Sequence, residues 1–413
     1  MRVATLFKRL LRLGRERVVG VELREDGQEQ VIVDIARPAG RRMRCPGCGF
    51  QTRATYDRAI RTWRHLDALR TRCLLRCEVR RIDCPRCGVV GEQVPWARPG
   101  SRFTRAFEDT CAFLARAAPK SAVAELMRVD WATVGRMVER VVDEALEGAG
   151  EEWLSGLRLI GVDEVSFRKG HRYLICVTDH ETGRIVWAHP GRSPAVLELF
   201  FLLLGPERCA RIEAVSVDLY GGWPQAIRRH ARRAAICADP FHVVALVTDA
   251  LDTLRRQDWQ RLRKDDPERA RWFKGTRFLL RRRAEDLAGE QRTILEELAE
   301  RNRAVYEGWL LVDQLRAVYR APDPDQAALV LEAWCQAAET SGHQPFHKAA
   351  ATIRRHAAAI VNAIRLGINN ARLEGLNSTV RLISHRSRGF RRVESLIALI
   401  HLVCGKVSLT LPT

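Results

Sequence analysis

Two cysteine pairs, Cys45-Pro-Gly-Cys48 and Cys84-Pro-Arg-Cys87, constrain this chain more than any other feature. Each Cys-x-x-Cys knuckle presents two thiolates to a tetrahedral ion, so the pair supplies all four ligands of a closed structural site for one Zn2+. The spacer between them is longer than in a common zinc ribbon. It also holds Cys73 and Cys77, four residues apart in a stretch, 71–81, that reads as a strand. There they share a face with Leu75 and Val79, the arrangement of packed thiols, with replacement of a knuckle ligand as the alternative. Six of the twelve cysteines fall between Cys45 and Cys87, which points to a reducing compartment and a metal rather than a disulfide framework.

Charge is the second constraint. A formal net charge of +19 and a pI of about 10.0 attract polyanions before any specific contact forms. Thirteen arginines against four acids lie between Arg41 and Cys87, and Arg41, Arg42 and Arg44 lead into the first knuckle as candidate phosphate contacts. The arginines are spread over several modules rather than gathered on one amphipathic helix, which favours nucleic acid over an anionic membrane. No uncharged apolar run approaches the roughly 18 residues of a membrane span, and arginine recurs at the start before any useful signal h-region. A cytoplasmic protein of about two to four domains is expected.

Residues 18–24 and 29–36 read as strands joined by a tight turn at Asp26-Gly27. After Pro95 and Pro99, helices are expected over 104–117, 121–127 and 131–141. Val123, Leu126, Val134, Met137 and Val138 keep helical spacing, and Asp130 is placed to cap the last helix. This is the layout of a helix-turn-helix whose exposed face, around Trp131, Thr133 and Arg136, would enter a major groove; an ordinary helical hairpin is the alternative. Strands at 157–165, 172–178, 184–189, 213–218 and 234–238, with helices at 194–204, 223–231 and 241–256, suggest a mixed sheet covered by helices. Residues 255–365 are almost wholly helical, with Trp259, Trp272, Trp309 and Trp334 as core anchors and base stacking by one or two of them as the alternative. In the final helical segment, Leu373, Leu376, Val380 and Ile383 form an apolar stripe, and Asn370, Glu374, Asn377 and Arg381 share a neighbouring polar face.

Two of the strands end alike. Leu157-Arg-Leu-Ile-Gly-Val-Asp163 and Val215-Ser-Val-Asp218 both run from the core to a carboxylate. Side by side they would set Asp163 and Asp218 at one rim, able to share a hard divalent cation, with Glu374 completing the set from a packed helix. Two Mg2+ ions roughly 3.5 to 4 Å apart can activate a water or 3′-hydroxyl on one side of a phosphodiester and stabilise the leaving oxygen on the other. Glu164 is open as the true ligand or a neighbouring base, since strand alternation sends it and Asp163 to opposite faces.

The knuckles, the helix-turn-helix, Gly161-Val-Asp-Glu164, Val217-Asp-Leu-Tyr220, Asp239-Pro-Phe-His242 and Arg372-Leu-Glu-Gly-Leu-Asn377 followed by Arg388-Gly-Phe390 occur in an order that resembles the DDE transposases of bacterial insertion sequences, specifically the ISL3 family. The resemblance spans nearly the whole chain. It implies an RNase H-like core with Asp163, Asp218 and Glu374 as the triad for two Mg2+ (or Mn2+) ions, and it decides for Asp163 over Glu164. Glu164, Asp239, His242, Asn370, Asn377 and Arg381 take supporting roles. The resemblance further implies double-stranded DNA partners, namely terminal inverted repeats and target DNA, a homodimer or higher homo-oligomer on DNA, and association with the nucleoid.

The expected fold class is multidomain α/β, an RNase H-like mixed sheet with an all-α insertion, preceded by a zinc-binding β module and a helix-turn-helix domain. The expected boundaries are 1–97 for the zinc module, 98–153 for the helix-turn-helix, 154–255 with 366–413 for the catalytic core, and 256–365 for the insertion. The rival readings are an RNase H-like nuclease or resolvase that cuts without joining, and a non-catalytic DNA-binding repressor.

Overall fold

Alternating burial along one long strand, Arg72–Cys84, organises the first sheet. Helix α1 (Val3–Leu10) is followed by β1 (Arg17–Arg24) and β2 (Gln30–Ala36), which pair antiparallel with Arg24 opposite Gln30. A two-stranded ladder of β3 (Met43–Arg44) and β4 (Gln51–Thr52) comes next, then β5 (Asp57–Arg64), β6 (Arg72–Cys84) and β7 (Gly88–Gly91). The larger sheet runs β1-β2-β6-β5, with β7 on β6; β2 and β6 are parallel and the other pairs antiparallel. Cys73, Leu75, Cys77 and Val79 are buried on one face of β6, against Val33 and Trp63. This computed structural model describes residues 3–25, 29–68, 70–168, 170, 172–219, 222–368, 371–386, 390, 392–409 and 411; the Asp26-Gly27 turn lies outside them.

The helical module comprises α2 (Arg105–Ala117), α3 (Lys120–Met127) and α4 (Trp131–Ala149). Arg128, at φ 52°, ends α3 in a left-handed turn, and Asp130 opens α4. The Asp130 carboxylate accepts from the Thr133 hydroxyl (3.1 Å) rather than capping a backbone N–H. α4 outruns its expected end because Val141 and Val142 extend its buried stripe. Leu126, expected inside, is 66% exposed, and Met127 takes the core position. Arg98 gathers Asp109 (2.6 Å), Glu144 (2.8 Å) and Glu108 (3.2 Å) within the module, so these buried charges are paired.

The helix Val393–Val403 packs Leu396, Leu399 and Ile400 on this module, against α2 and α4. Close approach is possible because α4 carries Gly135, where a Cβ would lie 2.9 Å from Ser395 Oγ. Contacts divide the chain into two units, Met1–Gly150 with Arg386–Thr413, and Glu151–His385. The segment 366–413, expected as one piece of the core, is therefore split at its middle.

The second unit holds β8 (Leu159–Arg168), β9 (Arg172–Asp179), β10 (Arg184–Pro190), β11 (Ala214–Val217) and β12 (Ala235–Ala238), in the order β10-β9-β8-β11-β12. The three consecutive strands joined by short turns are antiparallel; β8, β11 and β12 are parallel. β11, flanked by β8 and β12, is buried throughout, as an inner strand covered on both faces must be. Helices α5 (Pro194–Leu204), α6 (Pro206–Cys209) and α7 (Trp223–His230) supply Leu197, Phe200, Phe201, Cys209 and Trp223 to the same core.

Helix α8 (Pro240–Asp265) leads from β12 into the helical block of α9 (Pro267–Gly275), α10 (Gly289–Arg301), α11 (Arg303–Val318), α12 (Pro324–Thr340), α13 (Gln344–Arg355) and α14 (Ala357–Arg365). Trp309 and Trp334 are buried in its core, with Trp259 and Trp272 packed against it. α15 (Ala371–Arg386) follows. Among the described residues, no helix is long and apolar enough to cross a membrane.

Candidate functional site

Parallel pairing of β11 with β8 sets Ser216 beside Gly161. Carried two residues further, that register puts Asp218, just past the end of β11, level with Asp163 on β8. Helix α15 lies on this part of the sheet because Gly161 has no side chain: a Cβ there would be 2.5 Å from Leu373 Cδ2. Leu373, Asn377, Val380 and Ile383 form the buried stripe of α15. Asn377, expected on the polar face, is thus turned inward, and its amide donates to Asp163 Oδ2. The other oxygen of Asp163 accepts from the Glu164 N–H at 2.7 Å.

Asp239 and His242 join the same group. Asp239 is buried at the N-cap of α8, where its carboxylate accepts from the Phe241 N–H at 2.9 Å. One turn on, His242 lies between two acids, its Nδ1 3.5 Å from Asp218 Oδ1 and its Nε2 3.5 Å from Asp239 Oδ2. Burial pushes the Asp163 carboxyl up, opposed by the Glu164 N–H, Asn377 and His242 and reinforced by Asp239. Burial also pushes Glu164 up, with Arg192 opposing and the charges of Asp163 and Asp218 adding to the rise. Crowded carboxylates of this kind are what a hard cation relieves, and oxygen donors suit Mg2+.

Glu374 is solvent-exposed, one position off the buried stripe of α15, and Arg381 is exposed further along. Among the described residues, only the four knuckle thiols have three or more potential ligand atoms all within 4.8 Å of one another, so Asp163, Asp218 and Glu374 are not gathered that closely. Asn370, Tyr220, Arg388 and Gly389 lie outside the described residues, as does the Arg372 side chain. Arg192 and the close approach at Gly161 are the two features not anticipated from the sequence. Arg192, whose guanidinium sits 5.1 Å from the centre of the Tyr173 ring, has no spacing signal. Gly161 had one, a glycine inside a buried strand, which often marks close approach of another element.

The knuckles converge as expected. Cys45, Cys48, Cys84 and Cys87 hold their sulfurs within 4.8 Å, carried by the β3–β4 and β6–β7 turns. Burial pushes the Cys45 thiol up, but the Cys48 and Gly47 N–H groups and the thiols of Cys84 and Cys48 bring it down to about 7. Four thiols without disulfides fit one tetrahedral Zn2+. Cys73 and Cys77 lie outside this four-sulfur cluster and belong to the neighbouring apolar core as packed thiols, which burial pushes up to about 11.

Arg41, Arg42 and Arg44 are exposed beside the first knuckle. The expected reading face of α4 is only partly available. Arg136 is exposed, but Thr133 is 7% exposed, its hydroxyl held between Asp130 and the Arg136 guanidinium (2.9 Å). Trp131 is partly buried and covers the buried Lys120, whose Nζ lies 3.5 Å from the ring centre.

Comparison with known proteins gives the family of the chain and the order of its modules. Residues 160–400 match a transposase model of the ISL3 DDE type, residues 92–142 the helix-turn-helix domain of the ISL3 transposases, and residues 41–87 the zinc finger of the transposases of IS204, IS1001, IS1096 and IS1165. The chain is 37% identical over 438 aligned positions to the transposase for insertion sequence element IS1557 of Mycobacterium tuberculosis, covering 100% of this chain and 98% of that protein. It is 30% identical over 379 positions to the transposase for IS1001 of Bordetella parapertussis, covering 91% of each.

Proposed function

From the premise that this chain belongs to the ISL3 family of transposases, we propose that it binds the terminal inverted repeats of an insertion sequence, cuts phosphodiesters there and joins the freed 3′-hydroxyls to target DNA. The observation that carries the reading is the parallel register of β11 with β8, paired as far as Ser216 and Gly161, which carried two residues on sets Asp218 level with Asp163, beside the buried Asp239. Asp163 and Asp218 would hold both divalent ions and Glu374 the second. When bound, Mg2+ or Mn2+ supplies Lewis acidity on the attacking and leaving oxygens of the phosphodiester. His242 orients Asp218 from a position secured by Asp239, and Asn377 orients Asp163. Because Glu374 is exposed on α15, the reading requires its carboxylate to turn toward the rim when DNA and metal bind. Arg136 of the helix-turn-helix and the arginines at the first knuckle contact the end DNA. Concerted joining of two ends calls for a dimer or higher oligomer on DNA.

Asp218→Asn tests the chemistry. End cleavage with Mg2+ should be lost while end binding is retained; cleavage at the wild-type rate would sink the triad. A strand-transfer assay on labelled terminal DNA separates the nuclease reading, which yields cut ends and no joined product.

A further inference from the structure

We propose that a pocket next to the acid cluster receives one unstacked nucleotide of the DNA strand being cut. The inference rests on the catalytic reading of Asp163 and Asp218. Immediately after Asp239, Pro240 and Phe241 form one wall of a cavity of about 350 Å3. The remaining walls come from the helical block, at residues 283–285 and the end of α11. That size lies within the roughly 300–1,000 Å3 of small-molecule sites.

Three observations assign its occupant. Phe241 is 55% exposed at the start of α8, an apolar ring offered to solvent beside a buried polar cluster. Such a ring face stacks any base, because every base has a π-face. Next, Arg283, Arg316 and Arg320 face a single carboxylate, Glu285, in the lining. Glu285 accepts from Arg320 (2.8 Å) and Arg283 (3.3 Å), Asp313 lies 3.6 Å from Arg316 and Asp286 4.0 Å from Arg283, so what the lining offers a phosphate is the unused N–H groups of the half-exposed Arg283 and Arg320. Arg316 is fixed by bonds to the carbonyls of Arg281 (3.2 Å) and Arg282 (3.3 Å).

The third observation is Tyr319. Its phenolic oxygen is buried and has no hydrogen-bond partner among the described residues. Buried polar groups are nearly always paired, so this hydroxyl, sealed behind the cavity wall, is a donor that lacks its acceptor. Burial and the Asp239 carboxylate both push the phenol up, which keeps it a donor and places it within electrostatic reach of Asp239. An aromatic face, guanidinium groups and a buried O–H donor together match a base, its phosphate and one acceptor atom. The neighbouring Asp239 and His242 put that nucleotide close to the bond held at Asp163 and Asp218.

The test uses the full chain carrying Asp218→Asn, bound to duplexes of the element's terminal DNA with 2-aminopurine placed at successive positions around the cut. Emission should rise several-fold at one position. Adding Phe241→Ala should abolish that rise and weaken end binding by about 5-fold or more, the loss of one base–aromatic stack. Tyr319→Phe should reduce the rise without displacing the footprint. Phe241 is exposed, so its truncation leaves no core cavity, and an unchanged melting profile verifies this. No responsive position, or a response undiminished by Phe241→Ala, overturns the proposal. Wild-type cleavage measured in parallel separates the two failures: cutting without an unstacked base removes only the pocket, whereas cutting by Asp218→Asn removes the catalytic reading.

Discussion

Replacing Gly161 with alanine tests how α15 is seated over the catalytic strand. The added methyl would lie 2.5 Å from Leu373 Cδ2, well inside the roughly 3.5–4.0 Å of carbon contacts. It would also meet His180 Nε2 at 3.0 Å and Ser216 Oγ at 3.1 Å, two atoms tied to each other at 2.7 Å. The sheet side therefore resists, and strain falls on Leu373, which is 2% exposed. Overpacking of this kind costs about 1–3 kcal/mol. At about 2–4 °C per kcal/mol for a unit of this size, the melting transition of the second unit should fall by roughly 2–12 °C in differential scanning calorimetry. Cleavage should fall further than the melting shift explains, because Glu374 and Asn377 ride on α15 and a displacement of about 1 Å can cost 100-fold. Leu373→Ala alone should cost about 2–5 kcal/mol through the cavity it leaves. The double variant should be less destabilised than the sum, by about 0.5–3 kcal/mol. Additivity of the two single costs, or wild-type melting of Gly161→Ala, would refute the reasoning.

Three further outcomes are expected. Cys48→Ser should lower the zinc content from about one per chain and open the knuckles to proteolysis; a metal-free yet fully folded module, found by metal analysis, would contradict the site. Arg136→Ala should reduce the salt dependence of end binding by about 0.9 in log–log slope, one phosphate contact, while Thr133→Val should leave it unchanged. Equal slopes for wild type and Arg136→Ala would remove that contact. Burial brings His65 and His401 of the first unit down to about 4, from 6.5. Both are neutral in folded and unfolded chains above pH 6.5; below it the unfolded chain takes up protons that the folded one refuses, so stability is lost as pH falls toward 4. His401→Leu should flatten this loss by up to about 1.4 kcal/mol per pH unit in denaturant titrations. An identical acid profile would exclude His401 as a contributor.

Local chemistry was enough to read most of the fold. Cys-x-x-Cys spacing marked the metal knuckles, two-residue alternation marked β6 with its packed Cys73 and Cys77, and apolar runs leading to an acid marked β11 and β8, although β8 continues past Asp163 to Arg168. Each signal works because its period or ligand spacing is set within a few residues. The helix-turn-helix was legible in outline, but which side of it faces inward was not. Leu126 and Met127 are both apolar, and only neighbouring helices choose between them. Thr133 and Trp131 likewise left the expected reading face because Asp130 and Lys120 claim them from within the module.

Through-space geometry settled the rest. The parallel register of β8 and β11 pairs Ser216 with Gly161, and so directs Asp218 toward Asp163, although more than fifty residues separate the two acids in sequence. Asn377 turned inward and Glu374 outward because the space left by Gly161 receives Leu373, and rotating α15 to bury Leu373 fixes every other side chain on it. The helix 393–403 left the segment assigned to the core because its apolar face found α2 and α4. A sequence states which surfaces must be buried; the partner against which each is buried depends on shape and distance, and that partner sets where the functional side chains point.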